Sequence, residues 1–278
     1  MRRWVLSGAL LVLVALVSLG GFVVLNSIER FQGPGPLAAD TTYLVARGAA
    51  VEAIARELEA AGIVEDALLF RLGVRYLGQG RALKAGEYAF AAGVPMRGVV
   101  EILAAGRTVV RRLTVPEGLT SIEVATLVDA AEGLSGEAGP PAPEGSLLPE
   151  TYHYSWADGR AALIARMRRD LDDLLAGLWP ARDEGLPLKS PAEALVLASI
   201  VEKETGVPEE RPLVASVFLN RLSRGIRLQS DPTVVYGLTR GQGPLGRALT
   251  KKDLATPGPY NTYLVSGLPP GPIANPGR

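Results

Sequence analysis

Along this chain the hydrophobic pattern takes three successive forms. From Trp4 to Leu25 no position carries a charge, and Arg2 and Arg3 precede the run. An α-helix of about 20 apolar residues spans a bilayer, so the pattern predicts one transmembrane helix near the N-terminus. A cleaved signal peptide would have an apolar region of only about 7 to 15 residues, and no clear small-x-small cleavage site follows Leu25. The arginine pair predicts that the N-terminus stays inside and that everything after the helix faces out. G-P-G-P at 33–36 cannot sustain helix or central strand and reads as a juxtamembrane linker.

Beyond it the pattern shortens. T-T-Y-L-V-A at 41–46 has strand composition; after Gly48, the positions Val51, Ile54, Ala55 and Leu58 follow helical spacing and stop near Gly62. A second helix is expected over 66–77, a short strand over 86–90, a helix over 96–105 closed by Gly106, and a strand over 109–115. P-E-G-L-T then leads into a helix from about Ser121, with Glu123 close behind. Residues 132–145, rich in Gly, Pro and Glu, read as an exposed linker and the boundary between two parts.

The third pattern is a buried helix. Ser190, Pro191 and Glu193 supply an N-cap, a proline in the first turn and an acidic third position, so a helix begins there. It runs apolar on all sides to Val201, then carries Glu202, Lys203, Glu204 and Thr205 before Gly206 and Pro208. A second helix is expected over 209–223, with Asn220 and Arg221 near its end, and a helix start at Thr250.

Composition narrows the chemistry. Lysine and arginine total 29 against 29 acidic residues, which gives no electrostatic footprint for nucleic acid. With no cysteine and His153 as the one histidine, thiol catalysis, iron–sulfur clusters, zinc sites and a histidine-dependent triad are excluded or nearly so. No metal and no cofactor is expected, and carboxylates, hydroxyls, lysines or backbone must do any chemistry. Glu202 and Glu204, two apart on a helix, point to nearly opposite sides and cannot act as a facing pair. Glu204 lies in the last turn, where unsatisfied carbonyls penalise a charged carboxylate, and an apolar surround is expected to add to that penalty. These features make Glu204 the candidate proton donor, although solvated glutamates at a frayed helix end fit the wheel as well.

The segments A-S-I-V-E-K-E-T (198–205), V-A-S-V-F-L-N-R-L (214–222), L-Q-S-D-P-T-V-V-Y-G (228–237), Y-N-T-Y (260–263) and G-L-P-P-G-P-I-A-N-P-G (267–277), with L-P-E-T-Y at 148–152, resemble the YceG-like (MltG) family of endolytic murein transglycosylases. The resemblance implies cleavage of the β-1,4 bond between N-acetylmuramic acid and N-acetylglucosamine inside a glycan strand, without water, leaving a 1,6-anhydro end. It also implies a membrane-anchored chain with its catalytic domain outside, peptidoglycan strands as substrate, and peptidoglycan synthases as partners. Glu204, the second glutamate of E-K-E-T, takes the catalytic role, with Glu202 supporting it. Gln229, Ser230, Asp231, Tyr236, Tyr260 and Asn261 are expected to position the sugar, and Lys203, Asn220, Tyr263 and Glu150 to support the site. Lys203 has two readings, a pair with Glu202 or a contact with a substrate carboxylate. The proline-rich 267–277 run is expected to form an extended groove wall.

The strand, glycine turn and helix that recur at 41–58 and 109–128 resemble the opening of a LysM-like module. The expected architecture is α+β: 1–29 the N-terminus and membrane helix, 30–40 a linker, 41–131 the LysM-like subdomain, 132–145 a second linker, and 146–278 the catalytic domain. Family members normally continue past the proline-rich motif with a segment bearing a histidine and an asparagine, so the catalytic domain is expected to lack its C-terminal part. Two rivals stand beside the transglycosylase: a non-catalytic peptidoglycan-binding or scaffold protein, and a hydrolase of the same bond in which Asp231 activates water.

Overall fold

The computed structural model describes residues 2–278, and their side chains from residue 10 onward except Val12. It is α+β, and its contacts divide the chain into two units, 1–109 and 110–278.

The first unit opens with α1 (Arg2–Gln32), whose Leu13–Gln32 stretch is long and apolar enough to cross a membrane. Strand β1 (Thr41–Val45) pairs antiparallel with β2 (Gly86–Phe90), Thr41 opposite Phe90. Between them lie α2 (Val51–Ala60) and α3 (Ala67–Tyr76), and α4 (Met96–Ala105) follows. Periodicity explains the packing: α4 buries Met96, Val99, Val100 and Leu103, one face of a 3.6-residue repeat, at roughly 2 kcal/mol per side chain. Phe70 and Tyr88 complete the same core. Asp66 caps α3 by accepting from the Leu69 amide at 3.0 Å, and Gly106 closes α4 in the left-handed region at φ 69°.

The expected 30–40 linker is partly built into this unit. Phe31 is buried, and its ring lies so close to Gly73 that a Cβ there would come within 2.1 Å of it. The Gly35 amide donates to the Gly93 carbonyl at 3.0 Å, and the Gly93 amide to that of Leu37 at 2.8 Å.

The second unit begins with β3 (Arg111–Thr114), α5 (Ser121–Ala130) and β4 (Thr151–Tyr154); β3 and β4 pair antiparallel, Arg111 opposite Tyr154. Then come α6 (Arg160–Leu178), α7 (Pro191–Glu204), α8 (Arg211–Ser223), α9 (Asp231–Thr239) and the short α10 (Lys251–Leu254). Because β3 and β4 bracket residues 132–145, that stretch is a connection inside one unit, and the division falls about twenty residues before the expected one. Leu134 is buried, and the Arg160 guanidinium donates to the carbonyls of Val128, Asp129, Leu134 and Gly136 at 2.9–3.1 Å. One cation thus satisfies the open carbonyl end of α5 and staples the connection to α6.

Helix α7 starts as its sequence dictates: Ser190 Oγ accepts from the Glu193 amide at 3.2 Å. Its buried residues Val196, Leu197, Ile200 and Val201 pack with Phe218 of α8, Leu228 and Ile273. The helix expected over 209–223 begins instead with a 3-10 turn, Pro208–Glu210, before α8 proper. The proline-rich end does not form an open wall. Ile273, Ala274 and Asn275 are buried, Asn275 donating to the Leu119 carbonyl at 2.9 Å and accepting from the Leu147 amide at 3.0 Å.

Candidate active site

The site stands at the C-terminal end of α7. Glu204 is its last residue, and its Oε1 accepts from Ser230 Oγ at 2.5 Å. Its side chain is exposed, so the apolar surround expected around it does not form; the greasy face of α7 ends one turn earlier, at Val201.

Ser230, almost fully buried, precedes α9 and is held by a closed ring of hydrogen bonds. Its amide donates to Thr262 Oγ1 at 2.9 Å, and its carbonyl accepts from Thr233 Oγ1 at 2.7 Å. The two threonine hydroxyls lie 2.8 Å apart. Since the Thr233 proton goes to Ser230, the Thr262 hydroxyl is the donor between them. Both threonines are completely buried. Gln229 takes a left-handed φ of 53° with its amide donating to the Thr262 carbonyl at 3.1 Å, which turns the chain so that Ser230 meets Glu204.

Asp231, exposed at the first position of α9, accepts from the Tyr263 hydroxyl at 2.6 Å. That bond to Asp231, with burial and the negative charges of Asp231 and Glu204, pushes the Tyr263 hydroxyl up to about 12, so it stays a donor. Lys203 and Asp231, neighbours of Glu204 and Ser230 in sequence, line a cleft of 360 Å³ that continues along Tyr236. Lys203 Nζ donates to the Gly118 carbonyl at 3.2 Å, not to Glu202.

Glu202 has a different task. Its Oε1 accepts from Arg211 at 2.9 Å and its Oε2 from the Gly277 amide at 3.2 Å, with 9% of the side chain exposed. Arg211 also reaches Glu117 at 2.6 Å. Glu202 therefore ties α7 to α8 and to the C-terminal segment, while Glu204 keeps an open carboxylate.

The remaining expected residues divide. Tyr236 packs tilted against Tyr260, ring centroids 4.9 Å apart, and Arg240 lies over Tyr260 at 5.4 Å. Tyr236 faces the half-buried Glu144, whose carboxyl burial pushes above the usual range against the opposing bonds from the Ser121 and Gly145 amides. Asn261 is buried, its Nδ2 donating to the Leu254 and Thr256 carbonyls at 3.0 and 2.8 Å and its Oδ1 accepting from the Tyr263 amide. With both donors engaged, it shapes the turn that carries Thr262 and Tyr263 and does not offer its amide to a sugar. Glu150 pairs with Arg278 at 2.8 Å, and Asn220 is exposed on α8; neither joins the bonds around Glu204. Sequence reasoning missed Thr233, Thr262 and Glu144. The first two carried a readable signal, hydroxyls within S-D-P-T and Y-N-T-Y, but their partners are about thirty residues apart.

Residues 43–278 match the YceG-like family. The chain belongs to that family. Two Streptococcus pneumoniae strains and Bacillus subtilis have relatives named endolytic murein transglycosylase, 30% and 28% identical to this YceG-like chain. The streptococcal matches cover 96% of the chain but 56% of the relatives' own length, so the chain spans little more than half of them. The Bacillus match covers 83% of the chain and 71% of the relative. The crystal structure of a yceG-like protein from Listeria monocytogenes is also similar, with a TM-score of 0.51 and 29% identity over 86% of this chain and 87% of that one.

Proposed function

We propose that this YceG-like chain is an endolytic lytic transglycosylase of peptidoglycan, with Glu204 as acid and then base. The observation that carries the reading is the exposed carboxylate at the end of α7, oriented by Ser230 at 2.5 Å beside a cleft walled by Lys203 and Asp231. Glu204 donates its proton to the glycosidic oxygen as the bond from the muramic C1 to that oxygen breaks. The muramic 6-hydroxyl attacks C1, and Glu204 takes up the proton that this hydroxyl loses, so atoms and protons balance without water. Holding the 6-hydroxyl close to C1 supplies what a second carboxylate supplies in a hydrolase. Ser230 keeps one carboxylate oxygen fixed and leaves the other for transfer; Lys203, Asp231, Tyr236, Tyr260 and Tyr263 line or brace the sugar cleft.

The hydrolase rival requires Asp231 to activate water, yet one of its oxygens already accepts from Tyr263. The helix α1 serves as a single-pass anchor with the folded units on the outer side, and the strand, helix, helix, strand order of the first unit supports a LysM-like, glycan-associated module. As a terminator of glycan elongation, such an enzyme would have peptidoglycan synthases as its partners.

The test is digestion of purified glycan strands, read by mass spectrometry. Anhydro-ended products are expected from the native chain and none from Glu204→Gln, whose binding to strands persists. Oxygen-18 from solvent in the new reducing ends would establish hydrolysis instead. Binding by a folded native chain without any products would leave a scaffold role.

A further inference from the structure

Helix α3 has a buried face formed by Ala67, Phe70, Gly73 and Val74, and an opposite face whose apolar residues are left open. Leu68, Leu72 and Tyr76, at successive helical repeats, are 61%, 55% and 88% exposed. Solvated helix faces in globular proteins are normally polar, so three large apolar side chains in a row mark a surface that something covers. Beside the stripe, a groove of 490 Å³ is lined by Arg71, Arg75 and Arg81, with Glu52 pairing to Arg71 at 3.2 Å.

The position of α3 relative to α1 identifies what covers it. Arg30 pairs with Glu65 at 3.0 Å and with Asp66 at 3.5 Å, while the next residue, Phe31, packs its ring on Gly73. Asp66 and Gly73 are about 10 Å apart along α3, yet both meet the same level of α1, so α3 runs across the end of α1 rather than along it. The apolar run of α1 ends at Leu25, before Asn26 and Ser27, and six further residues bring the helix about 9 Å beyond it, to Phe31. The headgroup layer on one side of a bilayer is about 5 to 8 Å thick. With α1 in a membrane, α3 therefore lies across it at the outer edge of the headgroups. Asp66 and Gly73, which meet α1, stand roughly 100–120° around the helix from the Leu68, Leu72 and Tyr76 stripe, so the stripe flanks the α1 contact and does not lie behind it.

We infer that the Leu68, Leu72 and Tyr76 face of α3, with its arginine rim, rests on the surface of the bilayer that α1 crosses, taking anionic phospholipid headgroups. The apolar stripe enters the interface while the guanidinium groups meet lipid phosphate, the arrangement of an interfacial amphipathic helix. It would hold the first unit flat against the membrane in place of free rotation about a tether. The inference rests on reading α1 as a membrane anchor.

The chain has no cysteine, so the single variants Leu68→Cys, Leu72→Cys and Tyr76→Cys, and Glu57→Cys at an exposed position of α2, can each be labelled with a fluorophore uniquely. The full chain is reconstituted into vesicles of phosphatidylcholine with phosphatidylglycerol and floated on a density gradient. Quenching by nitroxide lipids is expected to be at least about twofold stronger at 68, 72 and 76 than at 57, and to weaken when phosphatidylglycerol is omitted. A chain that floats while these positions remain as open to a water-soluble quencher as position 57 overturns the inference and leaves the anchor standing. Label-to-label quenching between chains at 72 or 76 would mean that a second copy covers the stripe, which also overturns it. A chain that does not float removes the anchor reading, and the inference with it.

Discussion

Replacing Thr262 by valine tests whether the hydroxyl ring behind Glu204 holds the site together. Valine keeps the shape of threonine and removes one oxygen, which accepts from the Ser230 amide at 2.9 Å and stands 2.8 Å from Thr233. All three residues are buried, so water cannot take its place. A buried donor left unpaired costs about 1–3 kcal/mol, and here the Ser230 amide is that donor. In a unit of this size about 1 kcal/mol shifts the melting temperature by roughly 2–4 °C, so the expected fall is about 2–12 °C. Thr262→Ser keeps the oxygen and loses one methyl group, about 0.8 kcal/mol of burial. Urea unfolding of the detergent-solubilised chain, followed through tryptophan fluorescence, reads both variants; Trp156 and Trp179 report on the second unit. Valine should lower the midpoint more than serine at unchanged slope, and should lower strand cleavage while serine stays near native. A valine variant as stable as the serine variant, with cleavage intact, would refute the role of the ring.

Glu202→Gln should destabilise the chain by about 1–3 kcal/mol, because it weakens a largely buried pair with Arg211, whereas Glu204→Gln on an exposed side chain should cost less than about 0.5 kcal/mol. Urea midpoints in the reverse order would contradict the division of labour between the two glutamates. Burial raises the folded-state pKa of Glu144, so the stability it contributes is fully present below its unfolded pKa and fades as pH rises through the folded value. Glu144→Gln should accordingly lose less of its melting temperature than the native chain between acid and neutral pH, as calorimetry across that range would measure. Gly73→Ala places a methyl group against the Phe31 ring and should cost about 1–3 kcal/mol; limited proteolysis near residues 30–40 should become faster.

Much of this fold was legible because it is local. The helices at 51–60, 67–76 and 96–105 and the strand at 86–90 lie where hydrophobic spacing, caps and terminal glycines put them, and Ser190 with Pro191 marks the start of α7. Helix α6 carries the same kind of signal in Leu163, Met167 and Leu171, its buried stripe, whereas α9 offers little periodicity because its segment is short and begins with Asp-Pro. The division of the chain is illegible in the sequence for another reason. A Gly- and Pro-rich stretch has the same composition whether it joins two units or joins β3 to β4 within one, and only strand pairing distinguishes the cases.

The membrane-length helix, most helix starts and stops, and the carboxylate at the end of α7 follow from the amino-acid order alone, since each depends on neighbours within a few turns of chain. That Glu202 is locked to Arg211 while Glu204 meets Ser230, and that Asn261 turns inward while Tyr263 reaches Asp231, follows from how distant segments pack. Those outcomes depend on which groups find partners out of reach of water, and hydrogen bonds between residues some thirty positions apart leave no periodicity along the chain to read.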